Sequence, residues 1–369
     1  MRIASIGYGN MGAKYARMIY DNLIPDMTLT CVCVHHAETI EKVREDLGND
    51  VVCTVGKDDL FSHSDLFDEV LIAVPHPSHF QYFKTAAEKG KHVLCEKPAS
   101  ITAKEAEEME SLAEEKHITY GLIFQHRFFA RNQYIKDLLE TGRLGKIERA
   151  DLSMSMFRTP AYHKAGSWRS SWKGEGGGLL INQAQHVLDV YQWLFGMPEA
   201  LRADIEFGKY NDFNVDDQVS MNLYYKDRMS SHLFFTTGEP HEFVRLEIAG
   251  TKGSLIMEGH EITLHMFSED QRDYCAETTC TNAKELGIRE ERIRMPDDDK
   301  DAKQKVLIDF AQAVKEGRKP KADGTAGIHA LQLSNAAYLS AWKGQKVNIE
   351  TACEEYPVQL KKKIAEEEV

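Results

Sequence analysis

Residues 2–12 read RIASIGYGNMG, and this stretch decides the fold of the N-terminal part of the chain. Residues 2–6 are a short apolar run of strand-forming types, and apolar residues recur at helical spacing over residues 10–23. Gly7 permits a tight turn, Gly9 lets a backbone approach a pyrophosphate, and Gly12 allows close packing of helix on strand. The helix start offers free N–H groups to phosphates. A GxGxxG turn in this context predicts a dinucleotide site formed by Gly7, Gly9, Asn10, Met11 and Gly12.

Downstream of this turn, apolar runs alternate with helical segments up to residue 124. Strand-like runs cover residues 28–34, 69–74, 91–95 and 118–124, and helical spacing covers residues 39–47, 78–89 and 102–116. Near-continuous apolar strands separated by helices indicate a parallel sheet that is covered on both faces. Because crossovers are right-handed, residues 1–124 are predicted to form a doubly wound Rossmann domain.

The pattern changes near residue 125, where extended segments begin to dominate. Residues 125–369 are therefore predicted to form an α+β domain with an open-faced, mostly antiparallel sheet for substrate binding and oligomerisation. Predicted strands cover residues 146–157, 201–207, 215–226, 229–237, 243–249 and 253–265. Predicted helices cover residues 130–141, 179–195, 301–316 and 325–343, the last being a candidate to pack on the first domain. Residues 268–300 are expected to be a surface excursion, and the tail KKKIAEEEV a solvated end.

Composition narrows the classes of protein. With 369 residues and 42% apolar residues, two domains with sizeable cores are expected, and a disordered chain is excluded. No apolar run reaches the ~20 residues that span a bilayer, and the N-terminus does not resemble a signal peptide. A net charge of −13 disfavours a nucleic-acid partner. Seven cysteines without a CxxC pair indicate a reducing compartment, most simply the cytoplasm.

The end of the second predicted strand leaves the choice of cofactor open. An acidic residue there would bond the adenosine ribose of NAD, and an arginine would favour NADP. This sequence has Val34-His35-His36 instead. His36 is a candidate for contact with a ribose or a 2′-phosphate, and an exposed loop histidine is the alternative. Both NAD and NADP therefore stay possible.

Two further strand ends carry polar residues. Val74-Pro75-His76-Pro77-Ser78-His79 and Glu96-Lys97-Pro98 each follow a buried strand, at the sheet edge where α/β proteins bind ligands. We expect Val74, His76, His79 and Glu96 to lie along the cofactor, and Lys97 to face a polar cleft because it is costly to desolvate. The HxxH spacing alone could indicate a metal, but the prolines disfavour a ligating helix, so no metal site is predicted.

Residues 176–189 read GGGLLINQAQHVLD, three glycines followed by a predicted helix. On that helix Asn182, His186, Asp189 and Trp193 would share one face. An amide, an imidazole and a carboxylate in a row are unusual for a packing face and indicate a site. A histidine that only satisfies core contacts is the alternative.

Taken in order, five motifs resemble the Gfo/Idh/MocA oxidoreductases. They are GYGNMG, AVPHPSH, GKHVLCEKP, WRSSWKGEGGGLLINQAQHVLD and LEIAGTKGSL. The resemblance spans residues 3 to about 343, nearly the whole chain. It implies a Rossmann domain paired with a large open-faced sheet. It also implies oxidation or reduction of a secondary hydroxyl of sugars, cyclitols or their derivatives with NAD(H) or NADP(H).

Site residues follow from the resemblance position by position. Lys97 matches the lysine of the family's EKP motif, beside the reacting hydroxyl, and His186 matches its usual proton acceptor or donor. The family commonly has Asp where this chain has Asn182, so a charged role at that position is in doubt. Trp168-Arg169 resembles a segment that reaches the cofactor.

A mechanism follows in which a hydride leaves the carbinol carbon and the hydroxyl proton goes to a base. Histidine, with an ordinary pKa of about 6.5, can take that proton at neutral pH, whereas lysine would need its pKa lowered by about three units. We therefore assign His186 as acid/base and Lys97 as the group that polarises the oxygen. Arg127, Tyr162 and Asn182 are expected to join them at a substrate pocket between the domains. The substrate is predicted to be a sugar, a cyclitol or a glycoside, and anionic and nucleotide-linked sugars stay open.

Two other functions compete with this one. Some family members hold NAD tightly and cleave a glycosidic bond without net redox change, and a ligand-sensing regulator could keep the fold without the chemistry. A large open sheet would leave an apolar face to be covered, which predicts a homo-oligomer, either a dimer or a tetramer.

Overall fold

The structure is a computed structural model, and it describes residues 1–164, 166, 168–281 and 286–367. These residues form two compact units. The first unit contains Met1–Arg127, Lys173–Gly176 and Asp299–Gln332, and the second contains the remaining described residues. We keep the division at residue 124 as a proposal about domain organisation.

The first unit is built on a six-stranded parallel sheet with strand order β3-β2-β1-β4-β5-β6. Its strands are β1 (Arg2–Ile6), β2 (Thr28–Val34), β3 (Val52–Val55), β4 (Glu69–Ile72), β5 (His92–Cys95) and β6 (Tyr120–Leu122). The connecting helices are α1 (Asn10–Tyr20), α2 (Thr39–Leu47), α3 (Gly56–Ser62), α4 (His79–Glu88) and α5 (Ala103–Glu115). All of β4 is buried, as expected for a central parallel strand. The predicted doubly wound fold is confirmed.

The second unit contains a nine-stranded sheet with strand order β14-β13-β12-β11-β7-β10-β9-β8-β15. Its strands are β7 (Ile147–Ser155), β8 (Ala200–Phe207), β9 (Asp216–Tyr224), β10 (Ser230–Thr236), β11 (Phe243–Gly250), β12 (Gly253–Glu258), β13 (Glu261–Phe267), β14 (Ile288–Arg294) and β15 (Val347–Asn348). Within the described part of this nine-stranded sheet, only the pairing of β7 with β10 is parallel, which confirms the predicted, mostly antiparallel sheet.

Seven further helices lie in the C-terminal two thirds of the described chain. They are α6 (Ala130–Glu140), α7 (Pro160–Lys164), α8 (Gln185–Phe195), α9 (Gln271–Glu277), α10 (Ala302–Glu316), α11 (Gly324–Lys343) and α12 (Ile349–Glu367). Helix α8 packs on the inner face of the second sheet, where the Tyr191 hydroxyl donates to the carbonyl oxygen of Ala150 at 2.8 Å. Among the described residues, no helix combines the length and the apolar character needed to cross a membrane.

The outward face of the second sheet carries ion pairs along β7, β11 and β12. Residues alternate along β7, so that Leu152 and Met154 are buried while Arg149 and Asp151 point outward. Arg149 pairs with Asp151 and Glu247, and Arg245 pairs with Glu247 and Glu258. The expected apolar open face is therefore mixed on these strands, where ion pairs lie beside Phe243 and Ile256. The homo-oligomer therefore stays a prediction without that support.

Four predicted segments differ from the structure. The helix predicted over 179–195 begins only at Gln185, and residues 179–184 form turns. The single strand predicted over 253–265 is a hairpin, because Gly259 adopts a positive φ of 57° between β12 and β13. The excursion predicted over 268–300 contains α9 and the edge strand β14. The charged tail belongs to α12 as far as the described residues extend.

Candidate active site

The glycine turn after β1 is as tight as the sequence predicts. Gly7 has a φ of +93°, and a Cβ atom there would lie 2.4 Å from the carbonyl oxygen of Ala73. A Cβ on Gly12 would lie 2.1 Å from the carbonyl oxygen of Gly7. Since real Cβ atoms do not approach backbone that closely, Gly7 is required by the segment that follows β4, and Gly12 is required by the packing of α1 against the turn.

Gly9 differs from its two neighbours because no atom lies within 4 Å of the position that its Cβ would take. It precedes α1, whose first-turn N–H groups lack intrahelical acceptors, as in every helix. Internal packing therefore does not explain a glycine here. An external group that approaches the backbone closely does explain it, and the residues fit the pyrophosphate of a dinucleotide.

The other residues predicted to bind the cofactor follow neighbouring parallel strands. His36 follows β2, Val74 follows β4, and Glu96-Lys97 follows β5. Because β2, β1, β4 and β5 are adjacent and parallel, their carboxyl ends share one edge of the sheet with the glycine turn. His36 is exposed there, and its ring centroid lies 4.4 Å from that of His35. The structure thus brings this predicted set together on one edge of the first unit.

The turn after β5 is fixed by the buried carboxylate of Glu96. The Tyr15 hydroxyl of α1 donates to Glu96 Oε1 at 2.5 Å, and the Lys97 backbone N–H donates to Oε2 at 3.0 Å. Burial raises the pKa of Glu96, against the opposing charge of Lys97 and the hydrogen bond from Tyr15. Lys97 itself is half-buried and begins a cis peptide bond to Pro98. Tyr15 was not predicted, because a helix periodicity does not distinguish a tyrosine in the core from one that bonds a carboxylate.

His79 lies beneath this edge and is fully buried. Its Nδ1 is 2.8 Å from the carbonyl oxygen of Pro98, and its Nε2 is 2.8 Å from that of Val74. Burial lowers the pKa of His79, against the hydrogen bonds with these carbonyls. The predicted direct contact of His79 with the cofactor is therefore corrected. Each ring nitrogen lies 2.8 Å from a backbone carbonyl oxygen, the protonated one donates to it, and His79 thus links the turns after β4 and β5.

Two more predicted site residues, His76 and Arg127, contact backbone carbonyl oxygens of the first unit. His76 is 6% exposed, and its Nδ1 lies 3.2 Å from the carbonyl oxygen of Glu175. Arg127 is 6% exposed as well, and its Nη1 donates to the carbonyl oxygen of Lys321 at 2.7 Å. Little of either side chain is therefore accessible to a ligand.

In the second unit, hydrogen-bond donors converge on the hydroxyl of Tyr162. Arg169 Nη1 donates to it at 2.8 Å, and the side-chain amides of Asn182 and Gln183 donate at 3.3 Å each. The Arg169 guanidinium also lies over the rings of Tyr162 and Trp168, at 4.6 and 4.5 Å from the ring centroids. The structure thus brings four predicted residues, Tyr162, Trp168, Arg169 and Asn182, into one cluster. Gln183 was missed, although it stands next to Asn182 in the sequence.

His186 and Asn182 lie on different elements. Asn182 is in the turn that precedes α8, where its N–H donates to the carbonyl oxygen of Gly178 at 3.0 Å, and His186 lies in the first turn of α8. His186 is half-buried. Asp189 is fully buried and accepts from Gln192 Nε2 at 3.0 Å. The predicted common helix face of Asn182, His186 and Asp189 was therefore wrong, because the helix starts three residues after Asn182.

Comparison with known families agrees with both units. Residues 1–124 match a model described as the oxidoreductase family's NAD-binding Rossmann fold. Residues 136–349 match the model of the oxidoreductase family's C-terminal alpha/beta domain. The glycine turn and its sheet edge therefore belong to an NAD-binding domain of an oxidoreductase. The chain is a member of the Gfo/Idh/MocA oxidoreductase family.

Two curated relatives carry names that state a substrate. The chain is 27% identical over 290 residues to the 1,5-anhydro-D-fructose reductase of Ensifer adhaerens, covering 77% of this chain and 80% of the relative. It is 24% identical over 259 residues to the scyllo-inositol 2-dehydrogenase (NADP(+)) of Bacillus subtilis, covering 70% of this chain and 69% of the relative.

Solved structures share the fold over nearly the whole chain. The WlbA dehydrogenase of Chromobacterium violaceum, in complex with NADH and UDP-GlcNAcA, superposes with a TM-score of 0.79 and 23% identity over 94% of this chain and 95% of that chain. A levoglucosan dehydrogenase in complex with NADH and levoglucosan superposes with a TM-score of 0.78 and 21% identity over 95% of this chain and 99% of that chain.

Proposed function

We propose that this oxidoreductase transfers a hydride between a secondary hydroxyl or ketone of a sugar, cyclitol or glycoside and NAD or NADP. His186 is the acid/base in this proposal, and Lys97 polarises the reacting oxygen. Asn182, Tyr162 and Arg127 are proposed substrate contacts. Gly7, Gly9, Asn10, Met11, Gly12, His36, Val74, His76, Glu96, Lys97, Trp168 and Arg169 are proposed cofactor contacts.

The placement of Lys97 is the observation that carries this proposal. Lys97 stands on the same sheet edge as the glycine turn, and Glu96 and Tyr15 hold its backbone in place. An ammonium group at this edge can donate a hydrogen bond to a substrate oxygen that gains negative charge as its proton leaves.

The Tyr162 cluster supports a carbohydrate substrate. It combines amide and guanidinium donors with two aromatic rings, and sugars offer both hydroxyl oxygens and a C–H face. Both curated relatives described above are named for sugar or cyclitol substrates. The same cluster is compatible with neutral and anionic sugars, so we propose a carbohydrate substrate without naming one sugar.

The chain's own residues have three tasks in oxidation. When bound, the nicotinamide ring supplies the hydride acceptor. The donors of the Tyr162 cluster orient the ring of the substrate, Lys97 donates a hydrogen bond to the reacting oxygen, and His186 takes the hydroxyl proton as the carbonyl forms. In reduction the same imidazole, now protonated, returns its proton to the carbonyl oxygen.

The test mixes the protein with NAD⁺ or NADP⁺ and a panel that includes scyllo-inositol, levoglucosan, sugar acids, glycosides and nucleotide sugars. Nicotinamide reduction by the wild type and its loss in Lys97→Ala would support the proposal, and Lys89→Ala is the matched control because Lys89 is exposed. If no pair reacts, nucleotide released on denaturation separates the two competing functions. Tightly bound NAD would favour redox-neutral glycoside cleavage, and its absence would favour a regulator.

We also propose a cytoplasmic homo-oligomer, either a dimer or a tetramer. All seven cysteines are free thiols in the structure, as a reducing compartment permits. Light scattering on the purified protein measures the number of chains directly. A monomer at micromolar concentration would contradict the oligomer.

A further inference from the structure

The carboxylate of Asp216 organises the glycine turn that precedes α8. Asp216 begins β9 and is 1% exposed. Its Oδ1 accepts from the N–H of Gly178 at 2.7 Å and from the Tyr338 hydroxyl at 2.6 Å, while its Oδ2 accepts from the N–H of Leu180 at 2.7 Å. Burial raises the pKa of Asp216, and these three hydrogen bonds oppose that effect.

The glycine triplet makes room for this carboxylate and for Tyr338. A Cβ on Gly177 would lie 2.3 Å from the Tyr338 hydroxyl oxygen, and a Cβ on Gly178 would lie 2.3 Å from the carbonyl oxygen of Asp216. A glycine-rich turn whose N–H groups converge on an anion is a common phosphate-binding arrangement. Here the anion is supplied by the chain itself, so the triplet serves the internal carboxylate.

Hydrogen bonds lead from this carboxylate to the proposed site on two routes. On the first, Gly178 accepts from the N–H of Asn182 at 3.0 Å, and the Asn182 amide donates to the Tyr162 hydroxyl at 3.3 Å. On the second, the carbonyl oxygen of Leu180 accepts from Gln185 Nε2 at 2.9 Å. Gln185 directly precedes His186 and begins α8.

We infer that Asp216 is a positioning residue, whose carboxylate sets the placement of Asn182 and His186 through Gly178 and Leu180. This inference rests on the proposed function, in which those two residues meet the substrate. Tyr338 supports Asp216, since its hydroxyl is the third donor to the carboxylate. Displacement of a reacting group by about 1 Å can cost on the order of 10²-fold in rate, so a change at Asp216 should reduce turnover without touching the cofactor.

Asp217 offers a matched control in the next position. It is fully buried too, and it accepts from the backbone N–H groups of Lys209 and Tyr210 at 3.0 and 2.8 Å. It therefore stabilises a different turn by the same kind of hydrogen bond. Asp216→Asn and Asp217→Asn remove the same charge from the same strand, and the two hydrogen-bonded routes described above start from Asp216.

The experiment measures kcat, KM and the deuterium isotope effect on kcat with the panel substrate of highest turnover, together with NADH binding by fluorescence. We expect Asp216→Asn to lower kcat by about 10- to 100-fold, to raise the isotope effect, and to leave NADH affinity within about twofold. Asp217→Asn should keep kcat within about threefold of wild type. Equal kcat values in the two folded variants would overturn the inference.

If Asp216→Asn does not fold, kcat of Tyr338→Phe tests the inference instead. This variant removes one donor to Asp216 and keeps both backbone hydrogen bonds. A kcat lowered by about threefold or more then supports the inference, and an unchanged kcat overturns it. His186→Ala is measured in parallel. Full turnover in His186→Ala contradicts the proposed function itself, whereas an inactive His186→Ala beside a normal Asp216→Asn contradicts only the positioning role.

Discussion

At the scale of single residues, His79 shows how a buried side chain supports the site without contacting a ligand. Its two ring nitrogens each lie 2.8 Å from a carbonyl oxygen, that of Val74 after β4 and that of Pro98 after β5. The sequence places His79 in a motif near the cofactor, and hydrogen bonding to distant backbone is invisible in a local pattern.

The first prediction concerns the stability of that link. His79→Phe leaves one buried carbonyl oxygen without its donor, because a neutral imidazole carries a single N–H, and an unsatisfied buried group costs about 1–3 kcal/mol. We expect the free energy of unfolding to fall by about 1–3 kcal/mol in urea titrations. His35→Phe is the control, because His35 is exposed and its replacement should change stability by less than about 0.5 kcal/mol. Equal stability of the two variants would show that the bonds of His79 contribute little.

The second prediction concerns Glu69 on β4, which is fully buried. Within the described residues neither carboxylate oxygen has a hydrogen-bond partner, and burial raises the pKa of Glu69 from 4.5 to about 7. The folded state therefore binds a proton that the unfolded state has released, so the free energy of unfolding falls as pH rises from about 4.5 to 7.

Glu69→Gln removes this cost. The variant should exceed the wild type in free energy of unfolding by up to about 3 kcal/mol at pH 8, and the difference should vanish near pH 4. Glu88→Gln, at an exposed position on α4, is the control. A Glu69→Gln variant that is less stable than the wild type at pH 8 would mean that the carboxylate has a favourable partner when ionised.

At the scale of elements, the three glycines of the turn between β1 and α1 differ in what surrounds them. Packing requires glycine at positions 7 and 12, whereas a bound pyrophosphate is the proposed reason for Gly9. Gly12→Ala places a Cβ against the backbone of Gly7, and overpacking of this kind costs about 1–3 kcal/mol. Gly9→Ala meets open space, so its stability should stay within about 1 kcal/mol of wild type.

The third prediction follows from this contrast. NADH titrations should show weaker binding in Gly9→Ala although its unfolding curve is nearly unchanged, because the added methyl group occupies the approach of the pyrophosphate. In Gly12→Ala both stability and binding should fall. Unaltered NADH affinity in a folded Gly9→Ala variant would place the dinucleotide elsewhere on the first unit.

The elements that the sequence predicts well are those with a strong local signal. The glycine turn, the buried strand β4 and helix α5 each carry an apolar period or a conformational requirement within a few residues. Strand β14 reads IREERIR and was missed, because an exposed edge strand has charged residues at positions that a central strand fills with apolar ones. Helix α12 has a buried apolar stripe, but Pro357 lies inside it, and a proline in a helical pattern usually indicates the end of a helix.

The late start of α8 shows a different limit of sequence analysis. Residues 179–184 have helical spacing, but the N–H groups of Gly178 and Leu180 bond to Asp216, more than thirty residues away in the chain. Hydrogen bonds to this distant carboxylate thus take the place of helical hydrogen bonds in residues 179–184. The same contact explains why the secondary structure at Asn182 was mispredicted.

At the scale of the whole molecule, the chain combines an NAD-binding Rossmann unit with a large mixed sheet, and its family membership follows from both. Fold alone does not determine the reaction, because one architecture hosts many functions. The proposed reaction therefore depends on two side chains, Lys97 and His186, which belong to different units.

The roles of Lys97 and His186 are tested most directly by measuring nicotinamide reduction on the carbohydrate panel. The assay compares the wild type with Lys97→Ala and His186→Ala, and NADH affinity is measured for each protein. General acid/base catalysis contributes about 10²–10⁴-fold, so we predict that His186→Ala loses at least about 10²-fold in kcat while it still binds NADH. Lys97→Ala should lose a comparable factor. A loss below about tenfold in His186→Ala, beside an inactive Lys97→Ala, would contradict the assignment of His186 as the acid/base.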